Sequence, residues 1–356
     1  MIQLVTAILA AVLQAAAPQQ ATLLFAGDAM MHKGQLAAAR ASDGSYDFSG
    51  YFAQIAPQIS DADYAVVNLE TPLGGAPYSG YPCFCAPDAY ADALKGAGFD
   101  MCLTANNHTL DRRDRGLRRT TDVLTAKGID HIGTYRNSTQ RDSVLPLIKD
   151  INGFHIGFLN YTYGTNGIQI QGDVVVDYID RERISRDIAR TREGGAELVC
   201  VAIHWGDEYK LLPNRQQHQL ADFLIGEGVD MVIGGHPHVI QPMEMRRDST
   251  SGRNQLVVYS LGNFISDMKT TDTRGGAIVT AHISRDHSGR AKVDSASYSL
   301  VFTVPGRPGA SNFHLVYADS CTSAAYKPMA QAFARSARKI FSEHNIDVPE
   351  RTGATR

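Results

Sequence analysis

The sequence has no excess of charge of either sign and no later segment with the pattern of a membrane span. Its 356 residues include 34 Lys and Arg against 37 Asp and Glu, a formal net charge of −3. The bulk positive potential of a nucleic-acid-binding protein is therefore missing, and we expect no nucleic-acid partner. The apolar stretch at residues 4–13 is too short to span a bilayer comfortably. Any membrane association is expected to be indirect.

Cysteine is scarce, and its odd count excludes complete intramolecular pairing. The five positions are Cys83, Cys85, Cys102, Cys200 and Cys321. Cys102 and Cys200 lie in apolar runs and are expected to be small core residues. Cys83 and Cys85 are one residue apart, an awkward spacing for a mutual disulfide. Two alternatives stay open for them: outward pairing in an oxidising compartment, or free thiols in a loop.

The N-terminal residues have the pattern of a secretory leader. The apolar stretch at residues 4–13 is followed by three alanines at residues 15–17 and then by Pro18. This order is typical of an h-region and a small-residue cleavage site. We predict a signal peptide at residues 1–20 and export to the periplasm or the exterior. The alternative is a cytosolic protein with a mis-started N-terminus. No cysteine adjoins the predicted cleavage point, so no lipid anchor is expected.

The hydrophobic pattern indicates an α/β protein. Hydrophobic residues make up 44% of the chain, which suits one large domain, and no repeat or linker divides it. Apolar runs of four to six residues alternate with helical patterns up to about residue 240, which favours strands buried on both faces. Helices are predicted at residues 51–59, 88–97, 116–127, 181–193 and 215–227. Asn152-Gly153 predicts a hairpin between strands at residues 146–150 and 154–159.

Beyond residue 260 the signals become those of an all-β segment, followed by an amphipathic helix at residues 328–341. We predict one main domain over residues 21–310. Residues 311–356 are predicted to form a C-terminal extension whose helix packs on that domain.

Six apolar runs end in polar residues of a particular kind. They end in Gly27-Asp28, Asn68-Leu69-Glu70, Asn106-Asn107-His108, His204-Trp205-Gly206, Gly235-His236-Pro237-His238 and Leu261-Gly262-Asn263. In open α/β sheets the carboxyl ends of the strands form the ligand crevice. We therefore expect these side chains to converge.

The His236-Pro237-His238 stretch has the composition of half a metal site. The glycines at 234 and 235 are expected to let the backbone turn sharply. Pro237 fixes its own φ and favours an extended conformation at His236. Neutral imidazole is a common ligand for zinc-like ions. Taken alone, the pair has an equally good interpretation as two histidines hydrogen-bonded in a loop.

Together, the strand ends supply an oxygen and nitrogen donor set that suits Mn, Fe, Zn or Mg. The candidate metal ligands are Asp28, Glu70, Asn107, His204, His236 and His238. They exceed what one tetrahedral ion needs, so we predict two divalent ions about 3.5–4 Å apart with one bridging carboxylate, an arrangement that activates a water. Each residue has a structural alternative: Asp28 as a helix cap, Glu70 as a loop acid, Asn107 as a turn residue and His204 as a core histidine.

His108 and Asp111 are the candidate catalytic residues. Their spacing of three allows an acid–imidazole pair, which sets the tautomer and raises the basicity of the ring. That suits a general acid that protonates a leaving group. The substrate-binding candidates are Asn68, Asn106, Trp205, Glu208, Tyr209 and Asn263. For Glu208 and Tyr209, capping of the next loop is the alternative.

A local cluster of arginines follows Asp111 in the sequence. Its members are Arg112, Arg113, Arg115, Arg118 and Arg119. Two interpretations stay open: a solvated helix face, or a rim beside the site that attracts anions.

The order of the motifs resembles that of the CapA (PgsA) family. The residues that carry the resemblance are Gly27-Asp28-Ala29-Met30, Asn68-Leu69-Glu70, Ala105-Asn106-Asn107-His108-Thr109-Leu110-Asp111, His204-Trp205-Gly206-Asp207-Glu208-Tyr209, Gly235-His236-Pro237-His238 and Ser260-Leu261-Gly262-Asn263-Phe264. That family is associated with poly-γ-glutamate capsule synthesis and belongs to the metallo-dependent, calcineurin-like phosphoesterase superfamily. The resemblance covers roughly residues 22 to 270 and implies a four-layer α/β/β/α sandwich of the metallophosphoesterase type.

The resemblance also implies a role for each ligand. Asp28 and His238 would bind the first ion, Glu70 would bridge, and Asn107, His204 and His236 would bind the second. His108 would be the proton donor.

This chain departs from the superfamily pattern at two positions. Met30 stands where phosphoesterases usually have the histidine of Asp-x-His, with His32 two residues further on. Glu70 replaces the bridging aspartate. The first ion position is therefore the one in question.

We therefore expect an exported, metal-dependent, hydrolase-like enzyme of capsule (poly-γ-glutamate) or cell-envelope polymer metabolism that uses a metal-activated water. Its substrate would be an anionic polymer, attacked at a γ-glutamyl amide or a phosphoester. One alternative is a non-catalytic component of a polymer synthesis or export complex, with other capsule-synthesis subunits as partners. Another is a general phosphoesterase, against which the missing Asp-x-His histidine argues.

Overall fold

The computed structural model describes residues 19–248 and 252–351, and all but the last two residues of the predicted leader lie outside this part. The strands are β1 (Gln20–Ala29), β2 (Tyr64–Leu69), β3 (Met101–Leu103), β4 (Asp130–Ile132), β5 (Thr134–Tyr135), β6 (Leu147–Ile151), β7 (Phe154–Thr162), β8 (Val175–Val176), β9 (Leu198–His204), β10 (Met231–Gly235), β11 (Ile240–Arg247), β12 (Asn254–Leu261), β13 (Asn263–Ile265), β14 (Gly275–Arg285), β15 (Ala291–Val304) and β16 (His314–Tyr317). The helices are α1 (Lys33–Ala39), α2 (Ala56–Ser60), α3 (Asp88–Gly96), α4 (Arg113–Ala126), α5 (Ser138–Val144), α6 (Arg181–Glu193), α7 (Arg215–Gly226) and α8 (Lys327–His344).

Two large sheets pack face to face. The first has the order β16-β15-β14-β1-β2-β3-β4, with β13 also paired to β1, and the second has the order β11-β12-β10-β9-β7-β6. In β1, Leu23 and Phe25 face the core between the sheets, whereas Leu24 and Ala26 face the outer helices. A strand buried on both faces needs apolar residues at consecutive positions, which explains its continuous apolar run.

Helices cover both outer faces, which confirms the predicted four-layer α/β/β/α architecture. Leu36 of α1 and Leu94 of α3 pack on the outer face of the first sheet. Ile188 of α6 and Leu224 of α7 belong to the core of the second sheet. Burying each such side chain contributes about 1.5–3 kcal/mol.

The sheet continues past residue 310. β16 pairs antiparallel with β15, and α8 then packs against β11 and β15. The segment predicted as an extension thus supplies one edge strand as well as its helix.

The predicted Asn-Gly hairpin is confirmed. Asn152 and Gly153 have φ angles of 51° and 80° and connect β6 to β7. Two positive φ angles are the requirement of a type I′ turn, which Asn-Gly meets at low cost.

Proline explains two of the differences from the prediction. The helix predicted at residues 51–59 begins only at Ala56, since Pro57 is accommodated in the first turn of a helix and not in its interior. β11 contains Pro242 and was not predicted. It is an edge strand, and its register with β12 passes from Gln241 to Met243, so no ladder bond is required of the proline.

All five cysteines are free thiols. Cys85 is buried with its Sγ 3.2 Å from the carbonyl oxygen of Gly75, whereas Cys83 is exposed. Of the helices described, none combines the length and apolar character needed to cross a membrane.

Candidate metal centre

The carboxyl ends of the parallel strands place two carboxylates side by side. Asp28 ends the apolar run of β1, Glu70 follows β2, and both side chains are fully buried. Asn68 Nδ2 donates to Asp28 Oδ1 at 2.7 Å and to Glu70 Oε2 at 3.3 Å. The amide of Asn68 therefore bridges the two carboxylates.

Burial affects the two carboxylates differently. Burial, followed by the charge of Asp28, raises the pKa of Glu70 well above its usual range. For Asp28 the same burial raises the pKa, but the hydrogen bond and charge of His238 outweigh it and hold the pKa at about 2. Glu70 Oε1 has no hydrogen-bond partner within residues 19–248 and 252–351. A buried, unpartnered carboxylate oxygen beside a second acid is the kind of group that a cation satisfies.

Two imidazoles approach that orphaned oxygen from the second sheet. His204 Nε2 and His238 Nε2 each lie 3.8 Å from Glu70 Oε1. The other ring nitrogen of His238 lies 3.3 Å from Asp28 Oδ2 and 3.1 Å from Asn263 Oδ1. His238 thus contacts both carboxylates, and Asn263 orients its ring.

Asn107 follows β3 and faces His204. Its Oδ1 lies 2.9 Å from His204 Nε2, and its Nδ2 donates to Asn166 Oδ1 at 3.2 Å. Burial, followed by the charge of His236, lowers the pKa of His204 well below the usual value. A neutral imidazole beside an amide oxygen is in the form that binds a metal ion.

The backbone at the two histidines departs from the predicted geometry. His236 and His238 have φ angles of 100° and 57°, so both are left-handed, and the extended conformation predicted for His236 is wrong. Gly234 and Gly235 lie within β10 and do not make the turn. Their role is close approach: a Cβ would lie 2.1 Å from Tyr259 O at Gly234 and 2.9 Å from Asp28 Oδ1 at Gly235. Strained residues of this kind cluster at functional sites.

His236 completes the nitrogen-rich half of the site. Its ring centroid lies 4.8 Å from that of His204, and its Nδ1 is a second buried atom that lacks a partner in the described chain. Burial, followed by the charge of His238, lowers the pKa of His236 to about 4. Its amide donates to Asp28 Oδ2 at 3.4 Å, which connects both halves.

These residues fit divalent ions. Within the described residues, two groups of three side chains each bring their ligand atoms within 4.8 Å of one another: Asp28 with Glu70 and His238, and Glu208 with His236 and His238. The hard oxygen and borderline nitrogen donors match Mn, Fe, Zn or Mg. Glu208 is thereby placed among the potential ligands, although the sequence indicated it only as a substrate contact.

Met30 and His32 have other contacts near the end of β1. Met30 is buried, and its carbonyl oxygen accepts hydrogen bonds from Gln35 Nε2 and Tyr90 Oη. His32 precedes α1, and its Nδ1 accepts from the Asp267 amide at 3.3 Å. Burial lowers the pKa of His32 to about 4. His32 belongs to neither three-residue group of the described chain.

His108 and Asp111 form a buried pair after β3. His108 Nδ1 lies 2.8 Å from Asp111 Oδ2, and the same oxygen accepts from the Phe84 amide at 2.6 Å. The Phe84 ring packs edge-on against the imidazole with centroids 4.5 Å apart. Because the carboxylate occupies Nδ1, Nε2 is the nitrogen left for proton transfer.

The predicted substrate-binding residues divide into three sets. Asn68, Asn106 and Asn263 are buried and position other site residues; Asn106 Oδ1, for example, accepts from the His108 amide. Glu208 and Tyr209 are exposed to solvent next to the metal ligands, with the centroid of the Tyr209 ring 6.2 Å from that of His238. Trp205 is buried, donates to Tyr259 O, and lines with Tyr163 a cavity of about 540 Å³.

Two aromatic residues of the site were not predicted. The Tyr163 ring lies 4.6 Å from His236 and nearly parallel to His204 at 6.3 Å. Phe84 belongs to residues 71–87, a long connection that places its ring on His108. Tyr163 was missed because β7 was predicted to end at residue 159. The strand continues to Thr162, which pairs with His204, so the next residue, Tyr163, lies at the site.

Comparison with known proteins shows the family to which the chain is similar. The family described as bacterial capsule synthesis protein PGA_cap matches residues 22–268. The chain is 26% identical over 249 residues to the capsule biosynthesis protein CapA of Bacillus anthracis, covering 65% of this chain and 57% of that one. It is 31% identical over 202 residues to the PGA biosynthesis protein CapA of Bacillus subtilis (strain 168), covering 56% and 51%. The chain thus spans little more than half the length of these relatives.

Among solved structures, the NAD nucleotidase (NadN) of Haemophilus influenzae has a similar fold. The TM-score is 0.50 at 10% identity, over 89% of this chain and 62% of that one. At this identity the likeness concerns the fold alone, and it supports the metallophosphoesterase type of four-layer sandwich.

Proposed function

The chain belongs to the bacterial capsule synthesis protein family PGA_cap, and from this membership and the geometry of its strand ends we propose that it is a metal-dependent, hydrolase-like enzyme of capsule or cell-envelope polymer metabolism. The observation that carries the proposal is the buried Asp28–Glu70 pair, whose unpartnered Glu70 Oε1 faces the imidazoles of His204 and His238. The apolar leader pattern at residues 4–13 supports the export that forms part of this proposal.

Divalent ions bound by these residues would lower the pKa of a water and stabilise negative charge that develops on the substrate. Asp28, Glu70 and His238 would hold one ion, and Asn107, His204 and His236 would hold another, with Glu208 within reach of the same histidines. The similarity to the PGA biosynthesis protein CapA of Bacillus subtilis supports an anionic polymer as the substrate. The bond attacked would be a γ-glutamyl amide or a related linkage of that polymer.

The chain's own proton donor would be His108. Asp111 accepts from Nδ1 and so orients the ring, while Phe84 packs against the imidazole and limits the access of water. A positioned acid of this kind contributes a factor of about 10²–10⁴ to the rate. Nε2 would give its proton to the leaving amine or alcohol.

Two measurements on the purified full chain test the proposal. Metal content would be determined by elemental analysis, and turnover would be measured with a γ-glutamyl anilide and with an aryl phosphate. We expect bound divalent metal, turnover of at least one substrate, and a loss of about 10²-fold or more in His108→Ala with metal content unchanged. His155→Ala is the matched control, because His155 is exposed and its side chain makes no contact with the site.

Absence of turnover on both substrates by the metal-loaded protein would contradict the enzymatic proposal, and so would full activity in His108→Ala. Metal binding without turnover would favour a non-catalytic component of a polymer synthesis complex.

A further inference from the structure

The arginines around the start of α4 have different surroundings. Arg118 pairs with Asp173, and both terminal nitrogens of Arg119 bind Asp88, at 2.6 and 2.8 Å. These two therefore connect α4 to neighbouring segments. Arg112 is half-buried against two glycines, since a Cβ at Gly74 would lie 2.7 Å from its Cγ. Its packing gives it a structural role.

Arg113 and Arg115 are exposed, and in the described part of the chain neither guanidinium has a hydrogen bond or an ion pair. The acid between them, Asp114, accepts from the amides of Gln171 and Gly172 at 3.2 and 2.5 Å. Its carboxylate is therefore engaged by backbone amides of another segment. Two guanidinium groups are left without a protein anion.

These cations lie close along the chain to the proposed proton donor and its partner Asp111. Arg113 is two residues from Asp111, a separation of at most about 7.6 Å between Cα atoms. The turn that carries His108 is held on one side by the Phe84 amide and on the other by Asn166, which accepts from Asn107. Arg113 and Arg115 follow directly where this turn enters α4.

We propose that Arg113 and Arg115 form a subsite for a carboxylate of an anionic polymer, one unit away from the linkage at the metal centre. The inference rests on the proposed function and deepens it. A polymer that passes through the centre also needs contacts outside it, and Arg113 and Arg115 come directly after the turn that carries His108 and Asp111. A guanidinium matches a carboxylate in bidentate geometry, and an exposed one is desolvated at little cost.

Direct binding tests the subsite. Labelled poly-γ-glutamate would be titrated with the full chain at about 0.1 M salt, where longer-range attraction is largely screened. We expect Arg113→Gln with Arg115→Gln to raise Kd roughly tenfold, because each exposed ion pair contributes at most about 1 kcal/mol. Replacing both by lysine should raise it only about threefold, since the charge stays and the planar fork is lost.

The matched control is Arg335→Gln. Arg335 lies in α8, is exposed and, within the same described residues, makes neither a hydrogen bond nor an ion pair. Its Kd should equal that of the unmodified chain. An equal loss of affinity in Arg335→Gln, or none in the Arg113 and Arg115 variant, would overturn the subsite. Tighter binding of inorganic polyphosphate of matched charge, with the same dependence on these arginines, would overturn carboxylate as the ligand class.

Polymer binding can be measured separately from turnover by repeating the titration with His108→Ala protein, so this inference and the enzymatic proposal can fail independently. If the chain turns over no substrate yet binds the polymer through Arg113 and Arg115, the subsite stands and the catalytic proposal falls. If it turns over substrate while all arginine variants bind equally, only the subsite falls.

Discussion

The two sheets bring different chemistry to the same place. The first sheet supplies oxygen donors, Asp28, Glu70 and Asn107, from the ends of β1, β2 and β3. The second supplies imidazoles: His204 at the end of β9, and His236 and His238 after β10. Each proposed ligand group combines an oxygen donor of the first sheet with imidazoles of the second: Asp28 and Glu70 with His238, and Asn107 with His204 and His236. The centre therefore forms only when the two sheets pack face to face.

Burial acts on the two halves in opposite directions. It raises the pKa of Glu70 and lowers the pKa values of His204 and His236, so without a cation each group is biased towards its neutral form. Neutral imidazole is ready to bind metal, whereas a carboxylate has to lose its proton. Within the oxygen half, Glu70 is thus the group that depends most on a cation, because the pKa of Asp28 is held at about 2 by His238.

Glu70→Gln should have the largest effect. Removing this acid should lower metal affinity on the order of a hundredfold, because Glu70 Oε1 faces both His204 and His238. In chelator-treated protein the same change should raise the melting temperature by about 2 °C, since a buried acid beside Asp28 is removed. Elemental analysis and thermal unfolding with and without chelator measure the two effects.

Glu182→Gln is the control for this change, because Glu182 on α6 is 89% exposed at its side chain. It should leave both quantities unchanged. Retention of metal by Glu70→Gln would show that the oxygen half is not the essential one.

Gly234→Ala should disturb the contact between neighbouring strands of the second sheet. The new Cβ would lie 2.1 Å from Tyr259 O and 2.6 Å from Trp205 Nε1. Overpacking of this kind costs about 1–3 kcal/mol of unfolding free energy. Gly226→Ala, at the last position of α7 with no atom within 4 Å, should instead stabilise the protein by up to about 1 kcal/mol. Urea midpoints that move in the same direction would refute this assignment.

His238→Ala should weaken metal binding about tenfold more than His236→Ala. His238 lies 3.3 Å from Asp28 and 3.8 Å from Glu70, so it contacts the oxygen half directly, whereas His236 reaches it only through its amide. Competition against a fluorescent chelator measures both affinities, with His155→Ala as the control. An equal or greater loss in His236→Ala would shift the main ion towards the nitrogen half.

Strand ends could be predicted because their residues lie next to apolar runs. Asp28, Glu70, Asn107 and His204 each follow a buried strand, and parallel strands bring such ends to one edge. Helix α6 matched its predicted residues because an acidic cap, Asp180, and a glycine, Gly194, mark its two ends.

The rest depends on contacts between distant residues. The sequence does not show that Gly234 approaches Tyr259, or that His32 is held by Asp267. It also does not distinguish Arg119, which finds Asp88, from Arg113, which finds no acid among the described residues. Tertiary packing decides which partner each of these residues finds, and the local sequence pattern does not contain that information.

Tyr163→Ala should give the smallest effect and tests whether the nitrogen half needs its aromatic cover. The ring lies 4.6 Å from His236, and aromatic pairs contribute about 0.5–1.5 kcal/mol, so metal affinity should fall about threefold to tenfold. Tyr163→Phe keeps the ring and should keep the affinity. Tyr81→Ala is the control, because Tyr81 is 67% exposed and packs on Phe84 rather than on a ligand. If Tyr163→Ala binds metal as the unmodified chain does, the histidines of the second sheet do not need this ring, and their backbone conformations together with the amides of Asn107 and Asn263 suffice to position them.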